Sequence, residues 1–302
     1  MYISDFRYHR PGLLAEAVDL LDRCSDGALI AGGTDLLVEL KQRKRLHADV
    51  IALSHIEDLR SIDVLDGSLV IGATVTHNQL VHSPLVLQHC VAISEAAANI
   101  ATEQIRNTGT VGGNLCTGAS CADAAPILMV LDAHVELVGI RGQRTLPLTD
   151  FFLDHRRTLL QKSEIMRRIV VPAPASGSGA AFEKFGLRQA ANISVASVAA
   201  MVRVVDGRCE AARFVVGAVA PTPKVCGNAA ALAEGSPISE LSEGSELVKQ
   251  IAQAAAGDAQ PLDDIRGSAE FRREITATLA RRALCRAASR AGGRDVEGQG
   301  RR

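Results

Sequence analysis

Two stretches of the chain pair adjacent glycines with hydroxyl, amide and carboxylate side chains. The first is Leu29, Ile30, Ala31, Gly32, Gly33, Thr34, Asp35 and Leu36. The second runs from Thr110 through Gly112, Gly113, Asn114 and Thr117 to Asp123. Glycine lets a backbone come within hydrogen-bonding range of a ligand, and successive N–H groups can converge on phosphate oxygens. Thr34, Thr110, Asn114 and Thr117 add neutral donors, while Asp35 and Asp123 suit hydroxyl groups of a ribose or ribityl chain. Each stretch taken alone is equally a tight turn with polar caps, and patterning leaves both readings open.

Sharper motifs fail on spacing. A Rossmann fingerprint needs Gly-x-Gly-x-x-Gly, and here the glycines are adjacent. Residues 113–120 approach a P-loop, but Ala119 stands where the phosphate-binding lysine must be. Cys116 and Cys121 form no Cys-x-x-Cys and have no histidine near in sequence, so no zinc or iron–sulfur site is expected on this chain. The eight histidines show no His-x-x-x-His spacing and there is no Gly-x-Ser-x-Gly. Nucleotide-shaped turns without acid–base machinery suggest that a cofactor supplies the chemistry.

The elements expected to position these turns alternate in the first half. Apolar residues at helical spacing follow Pro11, and residues 27–30 read as a short buried strand entering the first glycine stretch. A helix opens at Leu36, and residues 48–53 form another strand. Asp66-Gly67 between Ile62/Val64 and Leu69/Ile71 predicts a hairpin. Residues 85–105 are Ala-rich and helix-permissive, 123–133 return to helix, and 135–138 and 169–171 are strands. The Pro/Gly/Ser stretch 172–179 marks a domain boundary. Beyond it, three strands (181–187, 194–205 and 213–219) precede helices at 225–234, 243–256 and 270–289, the order of an antiparallel sheet backed by helices. The Gly/Arg-rich tail is expected to be disordered.

Composition narrows the class. The 302 residues suggest two domains. Lysine plus arginine number 33 against 34 acids, so no net field exists to hold nucleic acid. Aromatics are only 3%, which argues against a base-stacking platform. No apolar run approaches a membrane span, and residues 1–12 do not read as a signal peptide. Seven scattered cysteines fit reduced thiols in a cytoplasm.

Ala31–Leu36, Gln104-Ile-Arg-Asn107 leading into Thr110–Leu115, Asp123, the Asp-Phe-x-x-His-Arg-Pro opening and Phe182–Arg188 followed by Ile193 resemble the FAD-binding subunit of the molybdenum hydroxylases. The resemblance spans nearly the whole chain. It implies an α+β protein: a two-lobed FAD domain of the vanillyl-alcohol-oxidase type over 1–175 (lobes 1–57 and 58–175), then a C-terminal domain over 180–290 with a three-stranded antiparallel sheet and helices, then a tail over 291–302. It also implies that residues 29–36 hold the FAD diphosphate through backbone amides, helped by Thr110, Gly112, Gly113, Asn114 and Thr117. Asp123 would lie toward the adenosine end, and Lys184 near the flavin, favouring its reduced anionic form. Ile100 would lie against the isoalloxazine, with Ile165 and Met166 beside it, whereas Arg106 would brace the loop.

The chain departs from the family at Ala119–Asp123, where relatives read Ser-Pro-x-x-Asp, and at Arg167, where an apolar residue is usual. It lacks the cysteine-rich insertion that holds a [4Fe-4S] cluster in one branch. The implied role is electron exit. A large molybdopterin-binding subunit and a small subunit with two [2Fe-2S] clusters would complete a heterotrimer, paired as a dimer of heterotrimers, with this chain's FAD passing electrons to NAD, quinone, ferredoxin or dioxygen. A stand-alone flavin oxidoreductase and a FAD-less structural subunit are the alternatives.

Overall fold

The computed structural model describes residue 3, residues 5–188 and residues 191–293; most of the tail expected to be disordered lies outside the described residues. The first lobe contains β1 (Arg7–His9), α1 (Leu14–Arg23), β2 (Gly27–Ile30), α2 (Leu36–Lys41) and β3 (Asp49–Ala52). Its three strands form a parallel sheet in the order β1-β3-β2. Ala17, Val18 and Leu21 of α1 are buried against Ile51 and Leu53. That contact explains the helical spacing of apolar residues after Pro11.

The second lobe begins with the hairpin of β4 (Ile62–Leu65) and β5 (Ser68–Gly72). Asp66 and Gly67 both take positive φ, at 50° and 77°, as the two-residue turn requires. Six short helices follow: α3 (His77–His82), α4 (Pro84–His89), α5 (Val91–Ala98), α6 (Glu103–Arg106), α7 (Val111–Thr117) and α8 (Ala124–Val130). The chain then forms β6 (His134–Gly139), β7 (Gly142–Pro147), α9 (Leu148–Phe151), a small hairpin of β8 (Phe152–Asp154) and β9 (Arg157–Thr158), and β10 (Glu164–Val171). The main sheet is antiparallel, in the order β4-β5-β10-β6-β7.

The helix-permissive run 85–105 is thus three helices with breaks. Ser83 caps α4 through the Val86 N–H, Cys90 is extended, and Ala101 takes φ 46° before Thr102 caps α6. The strand expected at 169–171 begins earlier, at Glu164, because Glu164–Met166 pair with Leu137–Gly139.

The C-terminal part has β11 (Ser178–Gly186), β12 (Ser194–Val205), β13 (Arg208–Gly217), a two-residue β14 (Lys224–Val225), then α10 (Gly227–Ala233), α11 (Glu246–Gly257) and α12 (Ala269–Ala291). The sheet is antiparallel with order β11-β12-β13-β14, so the expected three strands gain a short fourth. Both faces are covered. Ala196, Val198, Ala200 and Val202 meet the helices, while Ala199 and Met201 join the core of the second lobe. Small side chains permit this sandwich: a Cβ on Gly179 would lie 2.3 Å from the Ala287 carbonyl of α12, and one on Gly217 2.8 Å from Pro126 of α8.

Candidate functional site

The first glycine stretch is the link from β2 to α2. Gly33 turns the chain at φ 70°, the region glycine enters without a Cβ penalty, and its carbonyl accepts from the Leu37 N–H. None of the backbone N–H groups from Ala31 to Leu36 donates to a backbone carbonyl. Six successive donors of one short loop therefore have no backbone acceptor. Asp35 precedes α2 and is exposed, with no capping bond from its side chain.

The second stretch is built differently. Its two glycines lie inside the first turn of α7, where Thr110 caps the helix by accepting from the Gly113 N–H at 3.1 Å. The Gly112 N–H donates to the Ala73 carbonyl, and a Cβ at Gly112 would lie 2.5 Å from that oxygen. The Asn114 N–H and the Thr117 hydroxyl also bond within the stretch, to Thr110 and Gly113 carbonyls. The donors of this stretch thus serve the fold. What remains is Oδ1 of Asn114, buried with no partner.

The first stretch touches the residues that lead into the second. A Cβ on Gly32 would lie 2.0 Å from the Thr108 carbonyl oxygen and 3.0 Å from Cα of Gly109, so glycine is the residue that allows this approach. Beside the contact is a cleft of about 500 Å³, lined from both lobes by Ala31, Ser54, Arg60, Thr74, Thr108 and Thr110 among others. Its walls are mainly hydroxyl and amide groups, with Arg60 the one permanent cation among the lining residues. The far wall is held by the Asn78–Asn107 side-chain bond at 2.7 Å and by His77, whose backbone N–H donates to the Gly109 carbonyl. Burial beside Arg106 pushes the His77 imidazole down to about 4.

Asp123 and Lys184 meet directly. Nζ of Lys184 donates to Oδ2 of Asp123 at 2.6 Å and to the Asn99 carbonyl at 2.8 Å, and the Ser194 hydroxyl donates to the other carboxylate oxygen. Both charged side chains are buried. Burial raises the Asp123 carboxyl above the ordinary aspartate value, with Lys184 and Ser194 pulling the other way. The resemblance placed these residues toward opposite ends of a cofactor; the ion pair puts them in one place. Although β11 is an edge strand, the second lobe covers it here, so Lys184 is not a surface lysine.

The apolar residues are placed less favourably for ring contact. Ile100 belongs to the second-lobe core, and Arg106 braces its carbonyl at 3.0 Å. Ile165 and Met166 are neighbours on β10 and enter different cores, Ile165 that of the first lobe and Met166 that of the second. Neither lines the cleft. Strand alternation is the reason: successive side chains point to opposite faces. Arg167 sits at a bulge and pairs with Asp58 at 3.0 Å.

Two arrangements escaped the sequence reading. Arg7, His9 and Cys24 converge on buried Asp49, bringing His9, Cys24 and Asp49 ligand atoms within 4.8 Å of one another. Arg7 occupies both carboxylate oxygens at 2.7 Å and holds the carboxyl, with His9, well below the usual aspartate range. Asp49 is the saturated hub of an ion-pair group. Arg156, on the β8–β9 turn, reaches Asp35 of the first stretch and Glu39 of α2. Arg156 and Glu39 are separated by 117 residues, and neither group carries a periodic signal.

Comparison with known proteins then decides the family. Residues 4–174 match the FAD binding domain in molybdopterin dehydrogenase, and residues 180–287 match the CO dehydrogenase flavoprotein C-terminal domain. The chain belongs to the FAD-binding subunits of the molybdopterin dehydrogenases. It is 33% identical over 289 residues to the putative xanthine dehydrogenase FAD-binding subunit XdhB of Escherichia coli K12, covering 95% of this chain and 97% of that protein. It is 35% identical over 282 residues to the carbon monoxide dehydrogenase medium chain of Hydrogenophaga pseudoflava, covering 92% and 96%. The solved carbon monoxide dehydrogenase of that organism, in a form lacking the Mo-pyranopterin moiety, superposes with a TM-score of 0.90 at 35% identity over 96% of this chain and 99% of that one.

The residues present in this member of the FAD-binding subunits fit a flavin dinucleotide. A diphosphate needs several converging donors, and the unspent amides of residues 31–36 supply them. Asn114 Oδ1 is a buried acceptor awaiting a donor, of the kind a ribityl or ribose hydroxyl carries. The cleft volume of about 500 Å³ falls within the range of small-molecule sites.

Proposed function

We propose that this chain is the electron-exit subunit of a molybdopterin-dependent dehydrogenase or hydroxylase. Bound FAD supplies one-electron acceptance from iron–sulfur donors and release of the electrons to an external acceptor. The observation that carries the reading is the contact of Gly32 with Thr108 and Gly109, at the entrance to the second stretch and beside one cleft, with the amides of residues 31–36 left unspent.

In this reading residues 29–36 bind the diphosphate, Thr110, Gly112 and Gly113 shape the opposing wall, and Asn114 accepts from a cofactor hydroxyl. Thr117 supports α7. The Asp123–Lys184 pair fixes the C-terminal sheet against the cofactor lobe and supplies a buried dipole there. Ile100, Ile165 and Met166 act from behind the site, as packing that sets the lobe angle. Residues 1–175 form a two-lobed domain of the vanillyl-alcohol-oxidase type, split near 57, and 180–290 the C-terminal domain. The partners are a large molybdopterin-binding subunit and a small subunit with two [2Fe-2S] clusters, assembled as a dimer of heterotrimers in the cytoplasm. Among the described residues no helix is long and apolar enough to cross a membrane.

Tagged protein, expressed with its neighbouring reading frames, tests the reading. The expected purified material shows the two visible bands of oxidised flavin and carries iron and molybdenum. Flavin without metals would favour a stand-alone oxidoreductase, and colourless protein a FAD-less structural subunit. Either result overturns the assignment.

A further inference from the structure

Arg156 occupies an unusual position between the two glycine stretches. It takes φ 56°, in the left-handed region that non-glycine residues enter at a cost, at the turn joining β8 to β9. Its backbone N–H donates at 2.8 Å to the carbonyl of Gly118, the residue that ends α7. Its side chain reaches the other way. Nη1 lies 2.5 Å from Oε1 of Glu39 on α2, and Nη2 lies 3.8 Å from Oδ1 of Asp35 at the head of that helix. Arg45 approaches the second oxygen of Glu39 at only 3.9 Å and is largely exposed.

These carboxylates are misplaced for the chemistry proposed above. Asp35 belongs to the loop whose amides have no backbone acceptor, and Glu39 lies one helical turn beyond it. Two negative charges beside a diphosphate site repel the ligand unless a cation covers them. We propose that Arg156 sets the affinity of the cleft for its dinucleotide, by neutralising Asp35 and Glu39 while its backbone ties their loop to the end of α7. It is a positioning residue that acts through those two carboxylates. The inference rests on the FAD reading and deepens it.

FAD titrated into the full-length apoprotein, followed by quenching of flavin fluorescence, tests the proposal. Arg156→Ala is expected to raise the Kd about tenfold, and Arg156→Lys to recover most of that loss, because the charge returns. Adding Glu39→Gln to Arg156→Ala should also recover part of the affinity, since it removes the uncovered charge. Raising the salt concentration should narrow the gap between Arg156→Ala and wild type. Arg156→Gln, which keeps a donor for Glu39 without the charge, should weaken binding in the same direction and replaces the alanine variant if that fails to fold. Arg157→Ala, one residue along the same hairpin, should bind as wild type.

Wild-type affinity in Arg156→Ala would overturn the proposal, as would a double variant no tighter than Arg156→Ala. Failure of the wild-type apoprotein to take up FAD would instead overturn the functional reading.

Discussion

Nζ of Lys184 lies 2.6 Å from Oδ2 of Asp123, and the two side chains are 3% and 7% exposed. The pair joins β11 to the head of α8, across the boundary that Pro172–Gly179 marks in the sequence. Removing one member leaves the other charge buried, which costs about 3–5 kcal/mol. Lys184→Met is therefore expected to lose that much stability, measured by urea unfolding of the apoprotein. Lys184→Met combined with Asp123→Leu should recover most of it, because neither charge then remains. Equal stability of the single and double variants would contradict a buried ion pair.

Gly32 has no room for a methyl group. An alanine there would push its Cβ into the Thr108 carbonyl and force the first stretch away from the residues that lead into the second. Gly32→Ala should abolish flavin retention through gel filtration and destabilise the fold by about 1–3 kcal/mol, the usual range for overpacking. Gly12→Ala, whose Cβ meets nothing within 4 Å, should do neither. The visible absorbance of the two purified variants checks both outcomes.

Asn114→Ala separates folding from binding. It removes a buried acceptor that has no partner and places a better helix former inside α7. The thermal midpoint of the apoprotein should hold or rise, while the Kd for FAD increases. A fall in the apoprotein midpoint would show that Asn114 already serves the fold.

His77 supplies a pH dependence whose sign follows from its burial. The imidazole falls from 6.5 to about 4, so the native state favours the neutral ring more strongly than the unfolded chain does. The stability tied to it is present above pH 6.5 and is lost as the pH falls toward 4, a total of about 3 kcal/mol. His77→Phe should flatten the fall in stability between those values. The carboxylate Asp264, held down to about 2 by Arg272, loses its contribution only at lower pH, so the two windows are distinct. Unfolding curves taken at half-unit pH steps separate them.

Much of this was legible in the chain. Asp66-Gly67 fixes its turn because both positions need positive φ, and the structure makes it a hairpin. The strands-then-helices order after residue 180 reports an antiparallel sheet because each element carries its own period. The glycine pairs are legible as candidate ligand turns because a missing Cβ is a local property. Breaks in the run 85–105 were harder to read: Ser83-Pro84 and Thr102 are cap signals, but the extended Cys90 and left-handed Ala101 follow from how α4, α5 and α6 wrap one core.

The residue types and spacing determined that this protein carries two glycine stretches with neutral donors around them. Only the tertiary structure decided that Gly32 meets Thr108, that Asp123 and Lys184 share one buried place, that Ile165 and Met166 turn to different cores, and that Arg156 covers Glu39, 117 residues away. The reason is range. Turn geometry and helix caps depend on neighbours a few residues apart, whereas an ion pair or a backbone contact between lobes depends on how separate elements pack, and no local period records that.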